Sequence, residues 1–359
     1  MRCIPRPILS LAAFATAASL CWCSSPRYAA GQDFTAQIIG GRFSPSLVDG
    51  PVALVFTGTA VCSGILVGSQ TVLTAGHCST ETSTIENYRI VVGGGTYRVA
   101  ALVPHPLFEL ADNARDSAPY DVGVIELSEP PNVAPVPVFI DRPVTRGTEL
   151  SIAGYGTHEN SVDASTPEEL AKVGRSIVDS VSRDGVIFEK HAGGGASTCP
   201  GDSGGPAILR ESGYSGVVGI LSIGTNEVVG DNCELAEGGR FGHVYLQSNT
   251  QRQFLSSFPD IRYISGYRIF IESAARSSVS ALRRAARTSS VSSLSRSIRT
   301  VMSTVSKARE YANGARLELL SDALRELKAG APSRRLARAR AKVRAAIQHL
   351  NEVIALGIY

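Results

Sequence analysis

From Ile38 to Ile140 the chain is a succession of short apolar runs broken by Gly, Pro and Asn: Val52–Phe56, Gly64–Val67, Arg89–Val92, Tyr97–Val103 and Val122–Leu127. Several of these runs alternate apolar with polar positions, the period of a strand with one face in a core. The texture continues from Glu149 to Val244, through Leu150–Ala153, Gly185–Phe188 and Val217–Leu221. Many short strands at turn-punctuated intervals predict an all-β sandwich or barrel. The two stretches are similar in length and are divided by the proline-rich segment Pro130–Pro143, so the pattern predicts a pair of small barrels. A short helix around Val244–Leu255 would close that body.

After Ser265 the pattern changes. Val291, Leu294, Ile298, Val301, Val305, Ala308, Ala312, Ala315 and Leu319 recur in alternating steps of three and four, a heptad seam along a helix. Gly330-Ala331-Pro332 breaks it, and a second seam follows at Leu336, Ala339, Val343, Ile347, Leu350 and Ile354. Two amphipathic helices about a Gly/Pro turn predict a coiled-coil-like αα-hairpin over 265–359. Charge divides the chain at the same place. Residues 260–359 hold 16 Arg and 3 Lys against 7 acidic residues, about +12, beneath a formal net charge of +3 for the whole. An acidic body therefore carries a basic extension.

Arg2 and Arg6 followed by the apolar run Ile8–Leu20 predict a secretory signal over residues 1–30, cleaved near Ala29 and Ala30, with 31–37 as a short propeptide. An uncleaved anchor is the competing reading. Of seven cysteines, Cys3, Cys21 and Cys23 fall in that signal, leaving Cys62, Cys78, Cys199 and Cys233. An even remainder suits an oxidising compartment and allows three pairings. No CxxC pair remains among these four to suggest zinc. A secreted, extracellular protein is expected.

Three segments carry the chemistry: Leu73-Thr74-Ala75-Gly76-His77-Cys78, Tyr120-Asp121-Val122-Gly123 and Cys199-Pro200-Gly201-Asp202-Ser203-Gly204-Gly205-Pro206. Together, and in this order, they resemble the trypsin/chymotrypsin family of serine proteases over roughly Ile38–Ser257. The resemblance implies two six-stranded-type antiparallel β-barrels in a protease domain over 38–258. It also implies a serine endopeptidase acting through an acyl-enzyme. A serine hydroxyl is a poor nucleophile until an imidazole takes its proton, and the imidazole needs a carboxylate to fix its tautomer. Ser203 is thus expected as nucleophile, His77 as general base and acid, and Asp121 as the orienting carboxylate. By the same resemblance the N–H groups of Gly201 and Ser203 form the oxyanion hole.

Further expectations rest on the same likeness. Ile38-Ile39-Gly40-Gly41 resembles the family's activation site, where a freed α-amino group of Ile38 pairs with Asp202. Gln37 stands where trypsin-activated zymogens have Arg or Lys, which points to a different activator. Disulfides are implied for Cys62–Cys78 and Cys199–Cys233. Ser197 falls at the base of the primary pocket, where trypsin-like members hold Asp, so Arg/Lys specificity is not expected. Ser222 and Gly224 fall on a pocket wall, and an apolar or small substrate side chain is expected; His243 reads as a core residue, the alternative being a place near the pocket where it would favour acidic side chains. The remaining histidines, His105, His158, His191 and His349, read as core residues, and Asp112 and Asp116 as loop carboxylates. No metal and no cofactor are expected. Expected partners are a protein or peptide substrate, with the basic helices serving anionic surfaces or self-association and no specific nucleic acid. The rival reading is a non-catalytic secreted binding protein that keeps the protease fold.

Overall fold

The fold follows from where the alternating segments pair. In the computed structural model the described residues are 42–43, 50–80, 84–108, 117–156, 171–190, 198–224, 228–229, 234–235 and 240–357. Seven antiparallel strands form the first sheet, in the order Gly95–Tyr97, Arg89–Val92, Val52–Phe56, Val61–Leu66, Thr71–Thr74, Gly123–Leu127, Val99–Pro104. Val52–Phe56 buries both its faces. Val52 and Leu54 join Ile65, Leu73 and Val124 in a cluster shared with the second sheet, while Ala53 and Val55 pack with Leu66, Val72, Ile90 and Ile125 on the other side. Each of the Val, Leu and Ile side chains contributes about 1.5–3 kcal/mol on burial.

The second sheet closes on itself. Glu149–Gly154, Lys172–Val181, Val186–Lys190, Phe241–Tyr245, Tyr214–Gly224 and Pro206–Glu211 pair in turn, and the last pairs back onto the first. Register shifts at Val178/Ser180, Ala207/Ile208 and Leu221/Ile223 supply the bends such closure needs. The pair of barrel-like sheets read from the apolar pattern is therefore present.

Helix α1 (Gly76–Ser79) is a single turn, and α2 (Asn249–Leu255) starts where the Ser248 hydroxyl accepts the N–H of Gln251. Beyond it the chain is helical, as expected, with four helices in place of a hairpin of two: α3 (Gly266–Ala285), α4 (Val291–Glu310), α5 (Gly314–Gly330) and α6 (Leu336–Ala355). The long seam from Val291 is cut because Asn313 is extended (φ −136°, ψ 170°), which ends α4 and starts α5 on a new axis. Helix α3 escaped the pattern because Ala and Ser fill much of its inner face (Ala274, Ala275, Ser278), leaving few strongly apolar marks. Helices α5 and α6 form the hairpin read around Gly330-Ala331-Pro332. Leu282, Leu294, Ile298, Val305, Leu327, Val343 and Leu350 build the core of the four-helix extension. Its first helix is not separate from the protease body: Ile264 and Ile269 pack with Phe139, Leu150 and Leu209 inside the second sheet.

Candidate active site

His77 sits in the α1 turn that follows the buried strand Thr71–Thr74. Its ring Nδ1 lies 2.8 Å from Asp121 Oδ2, and its backbone N–H donates to Asp121 Oδ1 at 2.8 Å. The Ser222 hydroxyl donates to Asp121 Oδ2 at 2.7 Å. Asp121 is 3% exposed, so three donors replace the water it has lost. Two neighbours fix the segment leading into it. Gln251 Nε2 donates to the Pro119 carbonyl at 2.7 Å, and Tyr120 stacks on His105 at 5.4 Å. His105 itself is a core residue, as its setting in the sequence suggested, and burial lowers its pKa.

Ser203 lies in the turn between Cys199 and the strand Pro206–Glu211. The turn is sewn to the first sheet: Ser63 N–H donates to the Ser203 carbonyl at 2.7 Å, and the Ser63 hydroxyl donates to the Gly201 carbonyl at 2.8 Å while accepting the Tyr155 N–H at 2.9 Å. Among the described residues no acceptor is paired with the N–H of Gly201 or Ser203. Gly204 has φ +83°, and a Cβ there would lie 2.2 Å from Thr74 Oγ1 and 2.3 Å from the Ser63 carbonyl. Only glycine lets this turn approach the first sheet so closely.

The Asp202 carboxylate is buried in the interior. It accepts the N–H groups of Gly156 and Cys199, each at 2.8 Å, and is 1% exposed. Burial pushes its carboxyl up to about 6, against the two N–H donors and the charge of Lys172. A Cβ on Gly156 would fall 2.5 Å from the Asp202 carboxyl carbon, which explains glycine at that position.

Cys62 and Cys78, 16 residues apart in sequence, form the implied disulfide, closing a loop behind His77. In the loop-entropy account that is about 3 kcal/mol. Cys62, Cys78 and His77 lie within metal-ligand spacing, but a disulfide has no thiolate to offer an ion. Cys199 is also disulfide-bonded. Cys233, Ser197 and Ile38 lie outside the described residues, as do His158, His191, Asp112 and Asp116.

The structure adds two details around the pocket. Ser222, placed by sequence on the pocket wall, turns its hydroxyl to Asp121, while Gly224 is exposed at its strand end. His243 Nε2 lies 3.1 Å from Glu189 Oε1, with both side chains buried. His243 is fully buried in the barrel wall, the setting of a core residue. Ser63 and Gln251 were not legible as site-supporting residues in the sequence, and Ser222 was read only as a pocket wall, not as a partner of Asp121. Each acts across a long separation with a side chain too common to mark itself.

The trypsin family model matches residues 38–237. The chain is 28% identical over 218 residues to Trypsin 5G1 of Aedes aegypti, covering 53% of this chain and 76% of that protein. It is 29% identical over 222 residues to granzyme M of Rattus norvegicus, covering 54% and 83%. Among solved structures, neuropsin, a serine protease of mouse brain, matches with a TM-score of 0.48 at 22% identity, covering 60% of this chain and 98% of that one.

Proposed function

The chain belongs to the trypsin family and is a serine-type endopeptidase, and from that premise we propose that His77, Asp121 and Ser203 are its catalytic triad. The observation that carries this is the double grip of Asp121 on His77, through Nδ1 and the backbone N–H. With Nδ1 committed to the carboxylate, Nε2 is left to accept the Ser203 proton. Ser203 Oγ then adds to the scissile carbonyl, and the negative oxygen is met by the N–H groups of Gly201 and Ser203, typically worth about 3–4 kcal/mol per donor. His77 passes its proton to the leaving amine as the C–N bond breaks. Water, deprotonated by His77, hydrolyses the acyl-enzyme.

The same reading makes Asp202 the partner of an α-amino group freed at Ile38, Cys199–Cys233 a disulfide beside the pocket, and residues 1–30 a signal for secretion. Ser197 at the pocket base would leave no fixed charge for Arg or Lys. The basic helices, about +12 over residues 260–359, serve attachment to anionic surfaces.

A fluorophosphonate probe tests the assignment. Wild-type protein with its N-terminus at Ile38 is expected to label, and Ser203→Ala to lose the label together with roughly a million-fold in kcat. Labelling that survives in Ser203→Ala would move the nucleophile elsewhere. A folded wild type starting at Ile38 that does not label would make the chain a binding protein with a dormant triad.

A further inference from the structure

Helices α3 and α6 pack side by side, with the Arg340 guanidinium of α6 donating to the Thr288 carbonyl just past the end of α3 at 2.7 Å. Between them lies a groove of about 400 Å³ lined by Arg276, Val279, Ser280, Arg283, Arg284 and Arg287 on one side and Asn351 and Ile354 on the other. The four arginines are exposed; Arg276, Arg283 and Arg287 follow one row along α3 and the turn beyond it, and Arg284 sits about a quarter turn round from Arg283. From Arg276 to Arg283 the row spans about 10 Å at 1.5 Å per residue, and Arg287 extends it past the end of α3 at Ala285. Arg276 is paired with Glu272 at 2.7 Å. No carboxylate among the described residues lies within ion-pair distance of Arg283, Arg284 or Arg287. Three uncompensated guanidiniums along one groove repel one another, and an anion laid among them relieves that repulsion.

We propose that this groove is the binding site for a linear anionic polysaccharide, gripped by Arg283, Arg284 and Arg287. The proposal deepens the attachment reading above and rests on it. The row consists of arginine alone, whose planar fork pairs with two oxygens of a sulfate or carboxylate at once. A membrane surface fits less well. The apolar faces of α3 and α6, including Leu282, Val343 and Leu350, are spent in the bundle core, and Val279 and Ile354 along the groove are too small an apolar patch to insert. No helix among the described residues is long and apolar enough to cross a membrane. Nor does the groove suit single-stranded nucleic acid, since its lining includes no aromatic side chain on which bases could stack.

The test compares two triple variants that remove equal charge and keep helix propensity. One is Arg283→Ala/Arg284→Ala/Arg287→Ala in the groove. The other is Arg296→Ala/Arg299→Ala/Arg309→Ala on exposed positions of α4. Full-length protein is titrated with heparin near physiological salt, with circular dichroism and peptide cleavage as checks on folding. Duplex DNA and phosphatidylserine vesicles are run alongside. Wild type is expected to bind heparin, the groove triple to lose about tenfold or more, and the α4 triple about twofold or less. Equal losses from the two triples would overturn the groove and leave attachment to net charge alone. Wild type that prefers DNA or vesicles to heparin would overturn the polysaccharide as occupant. Wild type that binds none of the three would overturn both the groove and the attachment reading, without touching the triad.

Discussion

At Asp202 a carboxylate is held out of water by two backbone N–H groups, and burial pushes its carboxyl up to about 6 from an ordinary 3.8. A raised acid binds its proton more tightly in the folded chain than in the unfolded one. Its contribution is therefore fully present below about pH 4 and is lost as pH rises through 6, a loss of about 3 kcal/mol by pH 7. In a chain not cleaved before Ile38, and kept inert by Ser203→Ala, Asp202→Asn is expected to remove most of this dependence. Between pH 4 and pH 7 the stability difference, read by urea unfolding, should move about 2–3 kcal/mol in favour of Asn. A constant difference would show that the carboxyl does not titrate in this window. Cleavage that delivers the Ile38 ammonium should reverse the trend, since a paired charge favours ionisation. Asp202 was visible in sequence through its place beside Ser203, as His77 and Asp121 were through their own motifs. The Ser63 hydroxyl was not, because nothing local separates it from any other serine, and Ser222 was placed on the pocket wall without its bond to Asp121.

Between elements, the most economical fastening is Asp260, just before the edge strand Tyr263–Ile264. It accepts the Ser69 hydroxyl at 2.6 Å, the Gln70 N–H at 2.9 Å and the Thr71 hydroxyl at 2.8 Å, locking the end of the protease body to the turn that precedes Thr71–Thr74. Burial alone would raise this carboxyl, but the N–H of Gln70 and the two hydroxyls outweigh it and hold it at about 2. Here the sign is opposite to that of Asp202: the contribution is present above about pH 4 and is lost as pH falls through 2. Asp260→Ala should cost about 1–3 kcal/mol in urea unfolding at pH 7, and little at pH 2. Similar losses at both pH values would mean that packing, not the charge, holds the turn. At this scale the strands were largely legible, because a two-residue period with Gly and Pro punctuation survives any tertiary setting. The helices were legible only where Leu, Ile and Val marked the seam. A break made by the backbone of Asn313, and a helix lined with Ala and Ser, leave almost no trace in hydrophobicity.

For the molecule as a whole, the division into an acidic body and a basic extension, drawn from charge, does not coincide with the division of the core. Ile269 belongs to the first turns of α3 yet is fully buried beside Phe139 and Leu209 of the second sheet. Ile269→Ala should therefore lower the temperature at which peptidase activity is lost, at a cost of about 2–4 kcal/mol. The same change at Ile298, in the core of the helical extension, should weaken the helical signal while sparing that midpoint. If the two variants inactivate alike, the protease and the helices unfold as one unit and the shared core has no special place in it. Such an attachment has a further effect. An enzyme on a slack linker sweeps a volume and cuts whatever drifts in. One whose mooring grows out of its own core has little swivel, so wherever the helices are fixed the cleft is aimed, and what it cuts is chosen by orientation as well as by fit.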